Sequence, residues 1–218
     1  ILFLGISFSF KLQAVLLFPF YFVLLLKNRV KWYYFLLVPA VYLISLLPAY
    51  CAGRPLTELL SVFISQSEYY DSLSLQFPNL YMWISDDHYE TVKWIGILLT
   101  CLFALLTGGL LAKKYRAQLT NNYLVRLALL SAVIFPFLLP GMHERYMYVG
   151  DLLAVAYIIY FPRKFYNALG IPLISLFSYA LCTSLNESLI RYLGVPVTIF
   201  YICVIGLLIR DFYLSSLK

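Results

Sequence analysis

The sequence has little charge and few of the side chains that usually carry chemistry. Charged residues make up 12% of the chain, against 63% hydrophobic residues, and there are two histidines and four cysteines. Three of the cysteines lie inside apolar runs, so a disulfide framework is not expected. The chain has no internal repeat and no series of ten-residue segments with alternating hydrophobicity, which argues against a transmembrane β-barrel.

Long apolar stretches separated by short polar breaks dominate what is present. This pattern is typical of a polytopic helical membrane protein. The 20 tyrosines, 17 phenylalanines and three tryptophans are frequent at the ends of apolar runs, where aromatic rings favour the headgroup region. We therefore predict an all-α fold, a polytopic transmembrane helical bundle in contact with membrane lipids. The net charge of +6 reflects basic loops at a membrane surface, and no nucleic-acid partner is expected.

Seven spans are predicted, and the breaks between them alternate in charge. The spans are residues 14–26, 33–50, 93–112, 123–140, 146–161, 166–185 and 194–209. One set of breaks holds most of the lysines and arginines, and the other holds most of the acids. The positive-inside rule places the basic set, and the C-terminus, in the cytoplasm. The segment 51–92 and the turn 141–146 then form extracytoplasmic loops.

Lys11 can be placed by its distance from the inner surface. It lies 16 residues before Lys27, about 24 Å of helix, which is near the outer boundary of an apolar core about 30 Å thick. We expect the chain to turn back into the membrane here. The apolar stretch 1–10 is too short to cross a bilayer. We therefore expect residues 1–218 to be a single transmembrane domain, the C-terminal part of a larger protein.

The extracytoplasmic loop 51–92 has two different halves. Apolar residues in 56–64 recur with helical spacing, so we predict a surface amphipathic helix lying on the outer leaflet. The second half mixes tyrosines with carboxylates and amides, which suits sugar hydroxyls, although a solvated acidic loop would look the same. Residues 86–88 resemble metal ligands, but three adjacent residues do not normally face one ion, so no metal site is predicted.

A charged turn, His143-Glu144-Arg145, separates two apolar runs. Together with Lys11 on the same face, it suits an anion at the membrane boundary, such as a lipid phosphate. Arginine grips phosphate in a bidentate manner, and histidine can donate a hydrogen bond or a proton. Glu144 could orient His143 or Arg145. Alternatively, Arg145 reaches the headgroups with Glu144 as its surface partner, and His143 caps a helix end.

Three segments resemble motifs of the GT-C superfamily, multi-spanning glycosyltransferases that use polyprenyl-phosphate sugars. Residues 10–19, with Lys11 and Gln13, are similar to its Lys-Gln or Lys-Pro-Gln segment. Residues 142–146 resemble its His-Glu-Arg/Lys motif. Residues 78–81, Pro-Asn-Leu-Tyr, resemble the Pro-Asn-Leu-Trp/Tyr stretch of bacterial mannosyltransferases related to the second mannosyltransferase of GPI-anchor assembly.

This resemblance implies an activity and a set of roles. A hexose, of mannose or glucose type, would pass from a polyprenyl-phosphate donor to a glycan or lipid acceptor, in a bacterial plasma membrane. No cofactor is implied, and a divalent metal is possible but not indicated. The catalytic carboxylate of the family lies upstream of these motifs, so residues 1–218 would be inactive alone. The roles assigned are donor-phosphate binding for Lys11, His143 and Arg145; support for Gln13, Glu144 and Tyr146; and the sugar or acceptor cavity for Asn79 and Tyr81.

Two other functions fit the same general features. A flippase or transporter of lipid-linked sugars would place charges near the bilayer midplane and often shows inverted repeats, whereas the notable charges of this chain, those of Lys11 and the turn 143–145, cluster at one face. An O-antigen-type polymerase or ligase has related chemistry but normally has a larger outer loop with several arginines.

Overall fold

The protein is all-α, as predicted. The computed structural model describes residues 1–67, 69–114, 119–183 and 187–216. Within these residues, regular β structure is confined to one pair of two-residue strands. Contacts divide the chain into two compact units, residues 1–71 and residues 72–218. The boundary between them falls inside the predicted loop 51–92.

The first unit contains four helices, α1 (Leu2–Phe10), α2 (Phe18–Leu26), α3 (Leu37–Cys51) and α4 (Leu56–Ser67). Two 3₁₀ segments, Leu12–Leu17 and Trp32–Leu36, lead into α2 and α3. α1 packs closely on α3 at Gly5, where a Cβ atom would lie 3.2 Å from the Val41 Cβ. The small residue therefore allows the two helices to approach each other.

Helix α4 is the amphipathic helix that the spacing of apolar residues predicts. Its Phe63 ring stacks on Tyr42 of α3, with ring centroids 5.2 Å apart, and meets Phe8 of α1 edge-on at 5.1 Å. The Tyr42 hydroxyl also donates a hydrogen bond to the Leu59 carbonyl (3.1 Å). Leu59 and Phe63 of the apolar face are therefore held against α3 and α1, whereas Leu56, Leu60 and Ile64 of the same face are exposed.

The described residues of the second unit form five α-helices and both strands. These are β1 (Ser74–Leu75), α5 (Tyr89–Lys114), α6 (Asn121–Leu138), β2 (Met142–His143), α7 (Tyr148–Tyr160), α8 (Tyr166–Cys182) and α9 (Glu187–Ser216). α6 packs against α7 and α9, and α8 packs against the same two helices. The centre of this group is formed by fully buried side chains such as Leu129, Ile171 and Tyr201.

Four helical stretches in the described part of the chain are long and apolar enough to cross a membrane. They are Trp32–Cys51, Asp86–Lys113, Asn121–Leu138 and Tyr192–Ser215, and each overlaps one predicted span. The other three predicted spans correspond to shorter helical stretches, Leu12–Leu26, α7 and α8. Many large apolar side chains are exposed, among them Leu98 and Leu110 of α5. The chain is therefore an integral membrane protein whose helices contact lipid.

A buried polar network joins α6, α7 and α9. The Asp211 carboxylate accepts hydrogen bonds from Arg126 Nε (2.6 Å), the Tyr157 hydroxyl (2.8 Å) and Lys164 Nζ. The Arg126 guanidinium also lies 3.7 Å from the centre of the Phe161 ring. Because charges buried in an apolar interior must be paired, these contacts explain how Asp211 and Arg126 are accommodated.

Candidate functional site

The predicted sugar-binding loop and the His-Glu-Arg turn are hydrogen-bonded to each other within the second unit. β1 pairs in parallel with β2, with Ser74 opposite Met142 and Leu75 opposite His143. The Gly141 amide also donates to the Leu73 carbonyl (2.8 Å). Gly141 has φ +69°, a left-handed conformation that glycine adopts without steric cost. Two segments that the sequence assigned separately therefore lie side by side.

The same loop also donates hydrogen bonds to the last carbonyl groups of α6. The last carbonyl groups of a helix have no partner within it, and Pro140 follows directly. Three successive carbonyls accept hydrogen bonds from outside the helix: Phe137 from the Leu80 amide (3.3 Å), Leu138 from the Thr100 hydroxyl (2.9 Å) and Leu139 from the Asn79 side-chain amide (3.0 Å). The position of the charged turn is therefore fixed by the loop and by α5.

Asn79 is one of the residues that attach the loop to the end of α6. Its side chain is fully buried, and its oxygen accepts a hydrogen bond from the Tyr81 amide (3.0 Å) while its nitrogen donates to Leu139. Both polar groups are thus used within the protein. The resemblance assigned Asn79 to the sugar or acceptor cavity, whereas the structure places it beneath the loop, as an anchor between residues 79–81 and α6.

The three charged residues of the turn have different surroundings. His143 ends β2, and Glu144 and Arg145 begin the 3₁₀ turn Glu144–Met147. His143 Nδ1 lies 3.6 Å from Glu144 Oε2, and the two side chains are only 13% and 12% exposed. Arg145 is exposed, and no ion pair involving it is found in the described part of the chain. Of the two partners that the sequence offered for Glu144, the structure pairs it with His143.

This geometry gives the turn a defined electrostatic character. The Glu144 carboxylate lies beside an imidazole that is mostly buried, and a ring N–H of histidine is a hydrogen-bond donor. The Tyr146 ring, 5.2 Å from the imidazole between centroids, packs beside it. With Glu144 balancing His143, the exposed Arg145 is left as a charge that can meet an anion from outside.

Lys11 and Gln13 belong to the first unit. Lys11 is exposed and has extended backbone (φ −153°, ψ 133°), so the helix is interrupted where the sequence predicted a turn. Gln13 is 9% exposed, and its buried Oε1 atom has no hydrogen-bond partner among the residues described. Their assignment to a donor phosphate stays a prediction.

Tyr81 lies on the surface of the loop, half-buried against α5. A Cβ atom at Gly96 of α5 would lie 2.9 Å from Tyr81 Cζ, so the glycine leaves room for this ring. Burial raises the pKa of the Tyr81 phenol further above physiological pH, so its hydroxyl stays a neutral donor, as an ordinary phenol is. Tyr81 also lines a polar cavity beside β1.

Asp86 is a structural residue that the sequence presented as a possible metal ligand. Its two oxygens accept hydrogen bonds from the Leu73 amide (2.7 Å) and the Ser72 hydroxyl (3.1 Å). No group of three potential metal-ligating side chains occurs in the ranges that the structure describes. Asp86 instead holds the residues leading into β1. No local pattern in the sequence indicates this pairing, since its members are more than ten residues apart.

The fold and the turn 141–146, which is hydrogen-bonded to the loop before α5, together define the class of protein. It is an integral membrane protein with an all-helical framework and a cationic turn beside a polar loop. No protein-family model matches the chain, and neither does any curated protein or solved structure.

Proposed function

We propose that this chain belongs to an integral-membrane glycosyltransferase of GT-C type, which transfers a hexose from a polyprenyl-phosphate donor to a glycan or lipid acceptor on the extracytoplasmic face. The observation that carries the proposal is the pairing of β1 with β2. It sets a loop rich in tyrosine, amide and carboxylate groups directly beside a cationic turn, in a chain whose helices contact lipid. A sugar linked to a lipid phosphate needs a polar loop for its sugar, a cationic turn for its phosphate and lipid for its tail.

In this proposal the donor phosphate binds to Arg145 and His143. Arg145 supplies an exposed guanidinium, and a ring N–H of His143, which lies beside Glu144, supplies a second donor. Lys11 is assigned to the same phosphate by the resemblance and by its predicted position at the outer boundary of the membrane. Fixed positive groups aimed at a developing phosphate charge lower the barrier by several kcal/mol in comparable sites, about 3–4 for one donor.

The reaction is a single displacement with inversion. A carboxylate upstream of the three motifs, as the resemblance implies, takes the proton of an acceptor hydroxyl. The hydroxyl oxygen then bonds to the anomeric carbon, while the bond from that carbon to the phosphate oxygen breaks. The lipid phosphate leaves with the bonding electrons, stabilised by His143 and Arg145. No cofactor takes part in this scheme.

The orientation follows from loop charges. The basic breaks face the cytoplasm under the positive-inside rule. The proposed site is then on the extracytoplasmic side and the C-terminus is on the cytoplasmic side. The membrane proposed is a bacterial plasma membrane. The sugar is of mannose or glucose type by the resemblance of residues 78–81 and 142–146 to such enzymes.

The phosphate role of Arg145 is testable with a matched arginine. In the full-length protein, Arg145→Ala should lower transfer from a labelled polyprenyl-phosphate hexose by about 100-fold or more, because a charge that strengthens its contact as the phosphate leaves is lost. Arg29→Ala is the control. Arg29 is also exposed and in a turn but is predicted on the cytoplasmic side, so its loss should change the rate by less than about twofold.

Normal turnover by the Arg145→Ala protein would refute this role. Movement of labelled lipid-linked sugar across the bilayer, with no new glycosidic bond, would instead support the flippase alternative and contradict the transferase.

A further inference from the structure

A polar cavity of about 380 Å³ lies within the second unit beside the loop that pairs with β2. This volume is in the lower part of the range found for small-ligand pockets. The polar residues lining it include Ser72, Ser74, Gln76, Tyr81, Ser85 and Asp87. Because Gln76 directly follows Leu75, which pairs with His143, the cavity adjoins the charged turn.

Some polar groups of the lining are already used within the protein, and others are not. Asp86 is occupied by Leu73 and Ser72, and the Ser74 hydroxyl donates to the Phe77 carbonyl (2.7 Å). The side-chain amide of Gln76 and the hydroxyl of Tyr81 make no hydrogen bond to any residue that the structure describes. The cavity therefore presents a neutral donor and acceptor pair on Gln76 and a phenol on Tyr81.

Asp87 adds an acceptor with a fixed orientation. One of its oxygens accepts a short hydrogen bond from the Ser85 hydroxyl (2.6 Å), and Ser85 in turn accepts from the Asp87 amide (3.4 Å). The carboxylate is thus held by its neighbour, with its second oxygen available. Ionised carboxylates form strong hydrogen bonds to hydroxyl groups.

The backbone of Gln76 is in an uncommon conformation. Its φ is +54°, and among the described residues only Asn28 (φ +53°) shares this left-handed conformation without being glycine. Glutamine lacks the short side chain that lets asparagine bond to its own backbone here, so this conformation costs about 1–2 kcal/mol. Glycine would avoid that cost, which indicates that the side chain of Gln76 has a use.

The chemistry of the lining selects among ligands. Among the side chains that the structure describes, no lysine, arginine or histidine lines the cavity and the carboxylates of Asp86 and Asp87 do, so these groups disfavour a phosphate or other anion. An amide, a phenol and a carboxylate together offer both donors and acceptors, along with an aromatic ring. This combination matches the hydroxyl groups and apolar faces of a sugar ring.

We propose that this cavity binds one neutral hexose ring, with Gln76 and Asp87 bonded to its hydroxyls and Tyr81 against its face. Whether that ring belongs to the lipid-linked donor or to the acceptor glycan rests on the proposed transferase function. Binding of the ring itself does not depend on turnover, so the two claims fail separately.

The test is binding of methyl α-D-mannopyranoside and methyl α-D-glucopyranoside to the full-length protein in lipid nanodiscs, measured by saturation-transfer NMR and calorimetry. Gln76→Gly should weaken binding by about tenfold or more, because the amide is removed while the backbone preference is satisfied. Asn28→Gly is the matched control, since it makes the same backbone change outside the cavity and should leave binding unchanged. Asp87→Asn, which keeps the shape, should weaken binding in the same direction.

Each outcome decides a claim. Loss of sugar binding in Gln76→Gly, with a wild-type melting temperature, supports the cavity even if no transferase activity is found. Equal binding by the wild type, Gln76→Gly and Asp87→Asn, or no binding of either glycoside, overturns it. Adding polyprenyl-phosphate mannose distinguishes the sources: competition with the glycoside assigns the cavity to the donor sugar, and simultaneous binding assigns it to the acceptor.

Discussion

At the scale of single residues, one asparagine and one glutamine of the same loop, Asn79 and Gln76, have opposite roles. Asn79 is buried, with both ends of its amide bonded to the protein, whereas the amide of Gln76 faces a cavity without a partner in the described chain. The sequence could not separate these roles, because both residues lie in the same polar stretch. The resemblance assigns Asn79 to the sugar or acceptor cavity, which stays a prediction; in the structure its side chain is buried and bonded at both ends, so it anchors the loop.

The anchoring role of Asn79 predicts a loss of stability. Asn79→Ala leaves the Leu139 carbonyl without its donor and should lower the free energy of unfolding by about 1–3 kcal/mol. The measurement is thermal denaturation of the full-length protein in detergent. Asn121→Ala is the control, since Asn121 is exposed at the opposite end of α6 and should have little effect. An unchanged melting temperature for Asn79→Ala would contradict the anchor.

At the scale of elements, the helices could be predicted and their connections could not. Apolar runs and helical spacing in the sequence predicted α3, α4, α5, α6 and α9, because burial in lipid or against neighbours requires apolar residues at those positions. The pairing of 74–75 with 142–143 depends on residues far apart in the chain, and so does the contact of Arg126 with Asp211. Local periodicity carries no information about such partners.

The close packing of α8 on α9 gives a prediction with a matched pair of glycines. A Cβ atom at Gly170 of α8 would overlap Val204 and lie 3.3 Å from the Phe200 ring, whereas one at Gly206 of α9 would meet nothing within 4 Å. Gly170→Ala should therefore destabilise the protein by about 1–3 kcal/mol through overpacking. Gly206→Ala should be neutral or stabilising by up to about 1 kcal/mol, since alanine is the better helix former.

Thermal denaturation of both variants in the same detergent checks this. Equal melting temperatures for Gly170→Ala and Gly206→Ala would show that α8 and α9 do not pack as described.

At the scale of the whole molecule, composition was sufficient to predict that the chain is an integral membrane protein. A chain with 63% hydrophobic residues and apolar runs of membrane length has to place its few charges where they are paired or wet. It does so in two ways within the second unit: Arg126 and Lys164 both pair with Asp211, and His143 with Glu144 forms a turn beside a polar cavity. The first arrangement holds α6, α7 and α9 together, and the second is the site at which we propose that a ligand binds.

The central claim is that a hexose leaves a polyprenyl phosphate at this turn. The most direct measurement incubates the full-length protein, in sealed vesicles, with polyprenyl-phosphate mannose or glucose labelled in both sugar and lipid, together with membrane glycans. We predict new glycosidic bonds on the extracytoplasmic side, with one polyprenyl phosphate released for each hexose transferred. Recovery of the intact donor, with no lipid phosphate released, would contradict the account.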